Sequence, residues 1–106
     1  MESLLELADP PEALFATNNL MTVGALECLA RKGLRAPDDI AIVGFDDIPW
    51  ADLVVPSLTT VAQPTYELGR TAGLLLKDRT ASPGRPPSTV TLRTELHIRA
   101  TSAPKK

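Results

Sequence analysis

Lys32-Gly-Leu-Arg-Ala-Pro-Asp-Asp-Ile-Ala-Ile-Val-Gly-Phe-Asp-Asp47 is the stretch that decides the fold. Gly33 is placed to close a helix, because glycine takes the left-handed C′ conformation without a Cβ penalty. Ala36-Pro37-Asp38-Asp39 is a loop. Ile40 to Phe45 is a continuous apolar run, the pattern of a strand buried on both faces. It stops abruptly at Asp46-Asp47, where a turn through Ile48, Pro49 and Trp50 begins. Ala51 to Val55 has no clear assignment, and Pro56-Ser57 interrupts it.

Upstream, the same logic repeats. Leu4, Leu5, Leu7 and Ala8 form a short helical remnant that Asp9-Pro10-Pro11 ends. Ala13-Leu14-Phe15-Ala16 is a second short strand read as buried on both faces. Thr17-Asn18-Asn19 breaks the run, and a helix starts near Leu20 and continues to Lys32. Asn19 is the favoured cap of that helix, while Asn18 is open to a cap or a ligand. Glu27 and Arg31 have the i,i+4 spacing of an outer-face pair. The remaining positions are apolar enough to bury the helix on two sides, which points to a subunit interface. Strand, helix and strand in this order make a βαβ unit with parallel strands.

Downstream, Leu58 to Ala62 is β-rich and Pro64 opens a helix to about Asp78. Leu68, Ala72, Leu75 and Leu76 share one side of it. Residues 80–87 are rich in Pro, Gly and Ser and form a loop. From Ser88 to Ile98 the chain alternates, with Val90, Leu92, Leu96 and Ile98 on one face and Arg93, Glu95 and His97 on the other. That is a half-exposed edge strand. The tail, residues 100–106, reads as disordered.

The 106 residues are of single-domain size, 43% hydrophobic and 23% charged. Only 4% are aromatic, so Leu, Val, Ile and Ala must fill the core. The net charge of −2 gives no basic face for nucleic acid. Cys28 is the single cysteine, which excludes an internal disulfide and fits a reducing compartment. No apolar run reaches the roughly 18 residues that span a bilayer. The start, Met1-Glu-Ser-Leu-Leu-Glu6, is acidic where a signal peptide is basic. The expected location is the cytoplasm, away from membranes.

In open parallel sheets, ligands bind beyond the carboxyl ends of the strands. Both apolar strands end in polar clusters, Thr17-Asn18-Asn19 and Asp46-Asp47. Amide groups donate and accept, and a carboxylate accepts from two hydroxyls. The combination suits a neutral polyol such as a sugar or nucleoside better than an anion. Asp46 is the expected ligand contact and Asp47 the expected turn cap. A paired-aspartate Mg²⁺ site is the alternative, but it lacks a further carboxylate or a phosphate loop, so no metal or cofactor is expected. His97 has no nucleophile pattern beside it and reads as inert. Cys28 reads as packing, and Trp50 fits either the crevice or an interface. No catalytic constellation is present, so no enzyme activity is expected.

Three ordered segments carry a family resemblance: Pro11 to Leu26, Lys32 to Asp47, and Pro56-Ser-Leu-Thr-Thr-Val-Ala-Gln-Pro64 with Leu68-Gly69. Over residues 11–99 the chain resembles the C-terminal part of the effector-binding domain of LacI/GalR transcription regulators. The resemblance implies an α/β fold: one parallel-sheet lobe, incomplete, of a type I periplasmic-binding-protein-like architecture. It implies that residues 1–99 are part of an effector-binding and dimerisation domain and that helix 64–78 belongs to the other lobe. It also implies that the DNA-binding headpiece lies outside this chain. By position it assigns Asn18, Asp46 and Gln63 to a sugar-like effector and Val23 and Val54 to a homodimer interface. Two positions depart from the family pattern: Asn19 stands where Asp is usual, and Thr22 where a small apolar residue is usual. The competing readings are a solute-binding protein of a sugar transport system and a truncated remnant with only an oligomerisation role.

Overall fold

A computed structural model describes residues 1–104. In chain order it contains α1 (Glu2–Leu5), β1 (Ala13–Ala16), α2 (Asn19–Lys32), β2 (Ala41–Phe45), β3 (Thr59–Ala62), α3 (Thr65–Ala81), β4 (Glu95–His97) and a 3₁₀ turn (Ala100–Ser102). The strands form one sheet in the order β1-β2-β3-β4. β1 pairs parallel with β2, Ala16 facing Gly44, and β2 pairs parallel with β3, Gly44 facing Thr60. The chain divides into two compact units, Met1–Ala62 with the segment from Leu96 onward, and Gln63–Glu95.

The core of the first unit lies on one face of this sheet. Ala25 and Leu29 of α2 meet Ile40, Ile42, Ala51 and Leu58, all with almost no exposure. α2 buries a single stripe, Thr22, Ala25, Cys28 and Leu29, rather than the two sides expected. Leu20 and Met21 stay exposed because the stripe repeats at i, i+3, i+6 and i+7, one side of a 3.6-residue period. The strands also depart from two-faced burial. β1 is an edge strand with Phe15 half exposed, and in β2 burial alternates, Ile42 and Gly44 inside. Phe15 and Phe45 meet edge-to-face on the other side of the sheet, centroids 6.4 Å apart.

Thr22 explains how closely α2 can approach β2. A Cβ on Gly44 would come within 3.1 Å of the Thr22 hydroxyl oxygen. That hydroxyl is buried and donates to the Asn18 carbonyl at 2.8 Å, so this buried polar group is satisfied at the start of its own helix. α2 closes at Gly33, φ 68°, with the Gly33 amide donating to the Ala30 carbonyl and the Leu34 amide to that of Leu29. Arg31 pairs with Glu2 of α1 at 3.2 Å, not with Glu27. Both partners are well exposed, so the pair adds little stability.

The C-terminal segment differs most from expectation. Residues 88–94 form no strand, and β4 is confined to Glu95–His97. Its alternation is inverted: Leu96 and Ile98 point outward, while His97 and Arg99 turn toward the sheet. A shift of one residue exchanges the faces of a strand, and here polar partners outweigh apolar burial. Residues expected to be a disordered tail form the 3₁₀ turn instead. Thr101 is fully buried, accepts from the Thr59 amide at 2.9 Å and donates to the Ile42 carbonyl at 2.8 Å. Two buried backbone groups thus depend on its hydroxyl. The last two residues of that expected tail lie outside the described residues.

In the second unit, α3 runs from Thr65 to Ala81, past the expected end at Asp78, with Pro64 as its N-cap. None of its residues is buried, and Leu74 and Leu76 are exposed. Among the described residues no helix is long and apolar enough to cross a membrane.

Candidate functional site

Parallel pairing of β1 with β2 fixes what lies beyond them. Ala16 faces Gly44. Asn18 and Asp46 each lie two residues past that rung, at the carboxyl edge of neighbouring strands. The sheet therefore places both at the same edge. Gln63 directly follows β3 and opens the second unit.

Asn18, rather than Asn19, is the N-cap of α2. Its backbone is extended and its Oδ1 accepts from the Met21 amide at 2.8 Å. The cap occupies the oxygen only, leaving the side-chain NH₂ as a donor at the strand end. Asn19 instead has its Oδ1 buried without a hydrogen-bond partner among the described residues.

Asp46 has φ 75°, a left-handed conformation uncommon for any residue with a side chain. Its amide donates to the Val61 carbonyl at 2.9 Å, so the turn leaving β2 is tied to β3. An observed backbone outlier of this kind marks a position held by its surroundings.

Asp47 is not the simple turn cap expected. Its Oδ1 accepts from the Thr60 hydroxyl at 2.8 Å and from Arg99 Nη1 at 3.0 Å. Its Oδ2 accepts from Arg99 Nη2 at 3.2 Å and lies 2.9 Å from His97 Nδ1. Arg99 also places Nε 2.7 Å from Asp52 Oδ1 and donates from Nη1 to the Leu58 carbonyl at 2.9 Å. The Arg99 hydrogen bonds hold the Asp47 carboxyl well below the usual carboxylate range. Burial opposes this, and the Thr60 and His97 contacts add to it. The Asp47 carboxylate in turn raises the affinity of the guanidinium for its proton.

With both oxygens committed, Asp47 has little left to offer a ligand or ion. The paired-aspartate metal alternative thus has its Asp47 carboxylate already engaged by Thr60, His97 and Arg99. Thr60 and Arg99 were not singled out from the sequence, and His97 was read as inert. The available signal was a basic residue and a histidine flanking the edge strand, next to a double aspartate that needed partners.

The Asp47 charge is linked to acid stability. A carboxyl whose folded-state pKa lies below its ordinary 3.8 stabilises the fold above that value and loses this contribution as pH falls below it. Asp47→Asn is expected to shrink the difference in urea midpoint between pH 7 and pH 3. An unchanged difference would mean that Asp47 does not set the acid limb.

Val54 packs on the core and lines an apolar groove with Leu26, Leu34 and Val55, while Val23 is half-buried on α2 outside that groove. The structure therefore does not bring the two expected interface residues into one pocket. Leu53 and Val55 are strongly exposed beside it, 78% and 97%.

Comparison with known proteins gives a consistent outcome. A periplasmic binding protein-like domain matches residues 1–102. The HTH-type transcriptional repressor CytR of Escherichia coli K12 is 48% identical over 79 residues, 74% of this chain and 23% of its own length. A LacI family transcriptional regulator from Enterococcus faecium, solved with bound ribose, superposes with TM-score 0.83 and 34% identity, over 99% of this chain and 38% of that one. Another from Arthrobacter sp. FB24, in complex with lactose, gives TM-score 0.78 and 33% identity, over 96% of this chain and 38% of that one. The chain spans well under half the length of each of these proteins.

Proposed function

The chain belongs to the periplasmic-binding-protein-like family, among the LacI-type transcription regulators, and from this we propose that it is the effector-sensing and dimerising portion of such a regulator. The effector is a small polyhydroxylated molecule, a sugar or nucleoside-like compound. Asp46 accepts its hydroxyls and the Asn18 amide donates to it. The family resemblance adds Gln63 to this set. Ligand binding favours one arrangement of the intact regulator by its difference in affinity between states, and so controls DNA binding by a headpiece elsewhere. This is a cytoplasmic role.

One observation carries this reading. Asn18 and Asp46 leave adjacent parallel strands at the same edge. The ribose and lactose bound by the Enterococcus and Arthrobacter regulators have the chemistry such an edge accepts. Calorimetric titration of the intact protein with ribose, lactose and nucleosides tests it. Binding that Asp46→Ala removes supports the reading, and binding indifferent to Asp46 refutes it.

Val23 and Val54 are proposed to lie in a homodimer interface, supported by the exposed Leu53 and Val55 beside Val54. Val23→Arg is expected to shift the protein from dimer to monomer in sedimentation velocity, because an unpaired charge at an apolar contact is costly to bury. A sedimentation profile identical to wild type would remove Val23 from the interface.

A further inference from the structure

Three points along the turn that begins at Asp46 converge on one side chain. Arg99 grips the Asp47 carboxylate with both terminal nitrogens, 3.0 and 3.2 Å. It holds Asp52, at the far side of the turn, through Nε at 2.7 Å. It holds the Leu58 carbonyl, just before β3, at 2.9 Å. The Arg99 side chain is 16% exposed and that of Asp47 27%, whereas Asp52 is 72% exposed, so the Asp47 grip is the better shielded of the two ion pairs.

Arg99 is itself fixed. Its amide donates to the Thr59 hydroxyl at 2.8 Å, and its carbonyl accepts from that hydroxyl at 3.0 Å. Two residues later the buried Thr101 is bonded to both β2 and β3. The clamp is thus anchored in the sheet and reaches out to the turn.

We propose that Arg99 is a positioning residue for the ligand site: its planar fork locks the turn after β2 so that Asp46 is held in its left-handed conformation at the strand edge. The ligand part of this statement rests on the function proposed above. Asp46 and Asp47 share a peptide unit, so any movement of Asp47 alters the backbone that aims Asp46. The Asp46 amide, which donates to the Val61 carbonyl at 2.9 Å, reports directly on whether this turn stays closed. Shape matters here as well as charge. A lysine ammonium is a point charge on a flexible stem and cannot span a bidentate carboxylate, a second carboxylate and a carbonyl together.

Amide hydrogen exchange tests this without any ligand. In Arg99→Met and Arg99→Lys, the Asp46 amide is expected to exchange about tenfold faster or more, whereas the Val43 amide in mid-β2 changes little, because local opening is distinct from global unfolding. A merely stabilising residue would accelerate both amides alike. Asp47→Asn breaks the same grip without removing Arg99, and is expected to give the same selective acceleration if the Arg99 variants fail to fold. An unchanged Asp46 amide in these variants, or full restoration by lysine, overturns the proposal. Ribose and lactose titrations of the same variants then separate the two claims. Selective acceleration with a matching loss of sugar affinity supports both. Selective acceleration where sugar binding is indifferent to Asp46 supports the clamp and removes the ligand reading.

Discussion

Asp46→Ala is expected to weaken sugar binding by about a hundredfold or more while the protein still unfolds in one cooperative transition. A hydrogen bond to a charged group contributes about 1.5–3 kcal/mol, and a carboxylate serving two hydroxyls loses both when truncated. At 1.4 kcal/mol per factor of ten, even one such bond at the upper end is about a hundredfold in Kd. The fold should tolerate the change. Asp46 is half-buried, and the bond that ties its turn to Val61 is made by its backbone amide, which alanine retains. Alanine is less at ease than aspartate with φ 75°. Asp46→Asn therefore provides the second arm, because asparagine keeps the conformational tolerance and loses the charge. Affinity lost in both variants by titration calorimetry assigns the effect to the carboxylate. Affinity lost only in the alanine variant would assign it to the backbone.

Thr101→Val is expected to cost about 2–3 kcal/mol, a large share of the stability of a small domain. Valine fills the same volume but cannot accept from the Thr59 amide or donate to the Ile42 carbonyl. Both groups would be left without that partner at a site with no exposure. An unsatisfied buried donor is more damaging than the bond it loses is stabilising. The measurement is the midpoint of urea unfolding, with Thr101→Ser as control. Serine keeps the hydroxyl and should recover most of the loss. A valine variant as stable as wild type would show that the C-terminal turn is not stitched to the sheet in the way described.

Much of this architecture was legible in the sequence. The apolar runs that end in Asn18-Asn19 and Asp46-Asp47 are read directly as strands delivering polar groups to one edge, and Gly33 marks the helix end. Parallel pairing follows from strand, helix and strand. The face of β4 was not legible. Alternation assigns Leu96 and Ile98 inward, and only tertiary knowledge of Asp47 reveals that His97 and Arg99 take that side. Nor was the choice between Asn18 and Asn19 as cap, which depends on where the first helical residue falls. The buried Thr101 was hidden for a different reason. A short tail of small residues ending in Pro-Lys-Lys has the composition of a disordered end, and the order of its Thr101 comes from bonds to residues some 40 to 60 positions earlier in the chain.

The most direct test of the account is a crystal structure of the intact protein with whichever of ribose, lactose or a nucleoside binds it. Ligand hydroxyls are expected within hydrogen-bond reach of the Asp46 carboxylate, with Asp47 still engaged by Arg99. A ligand seated away from the carboxyl edge of β1 and β2, or one held by Asp47 with Asp46 turned aside, would contradict it.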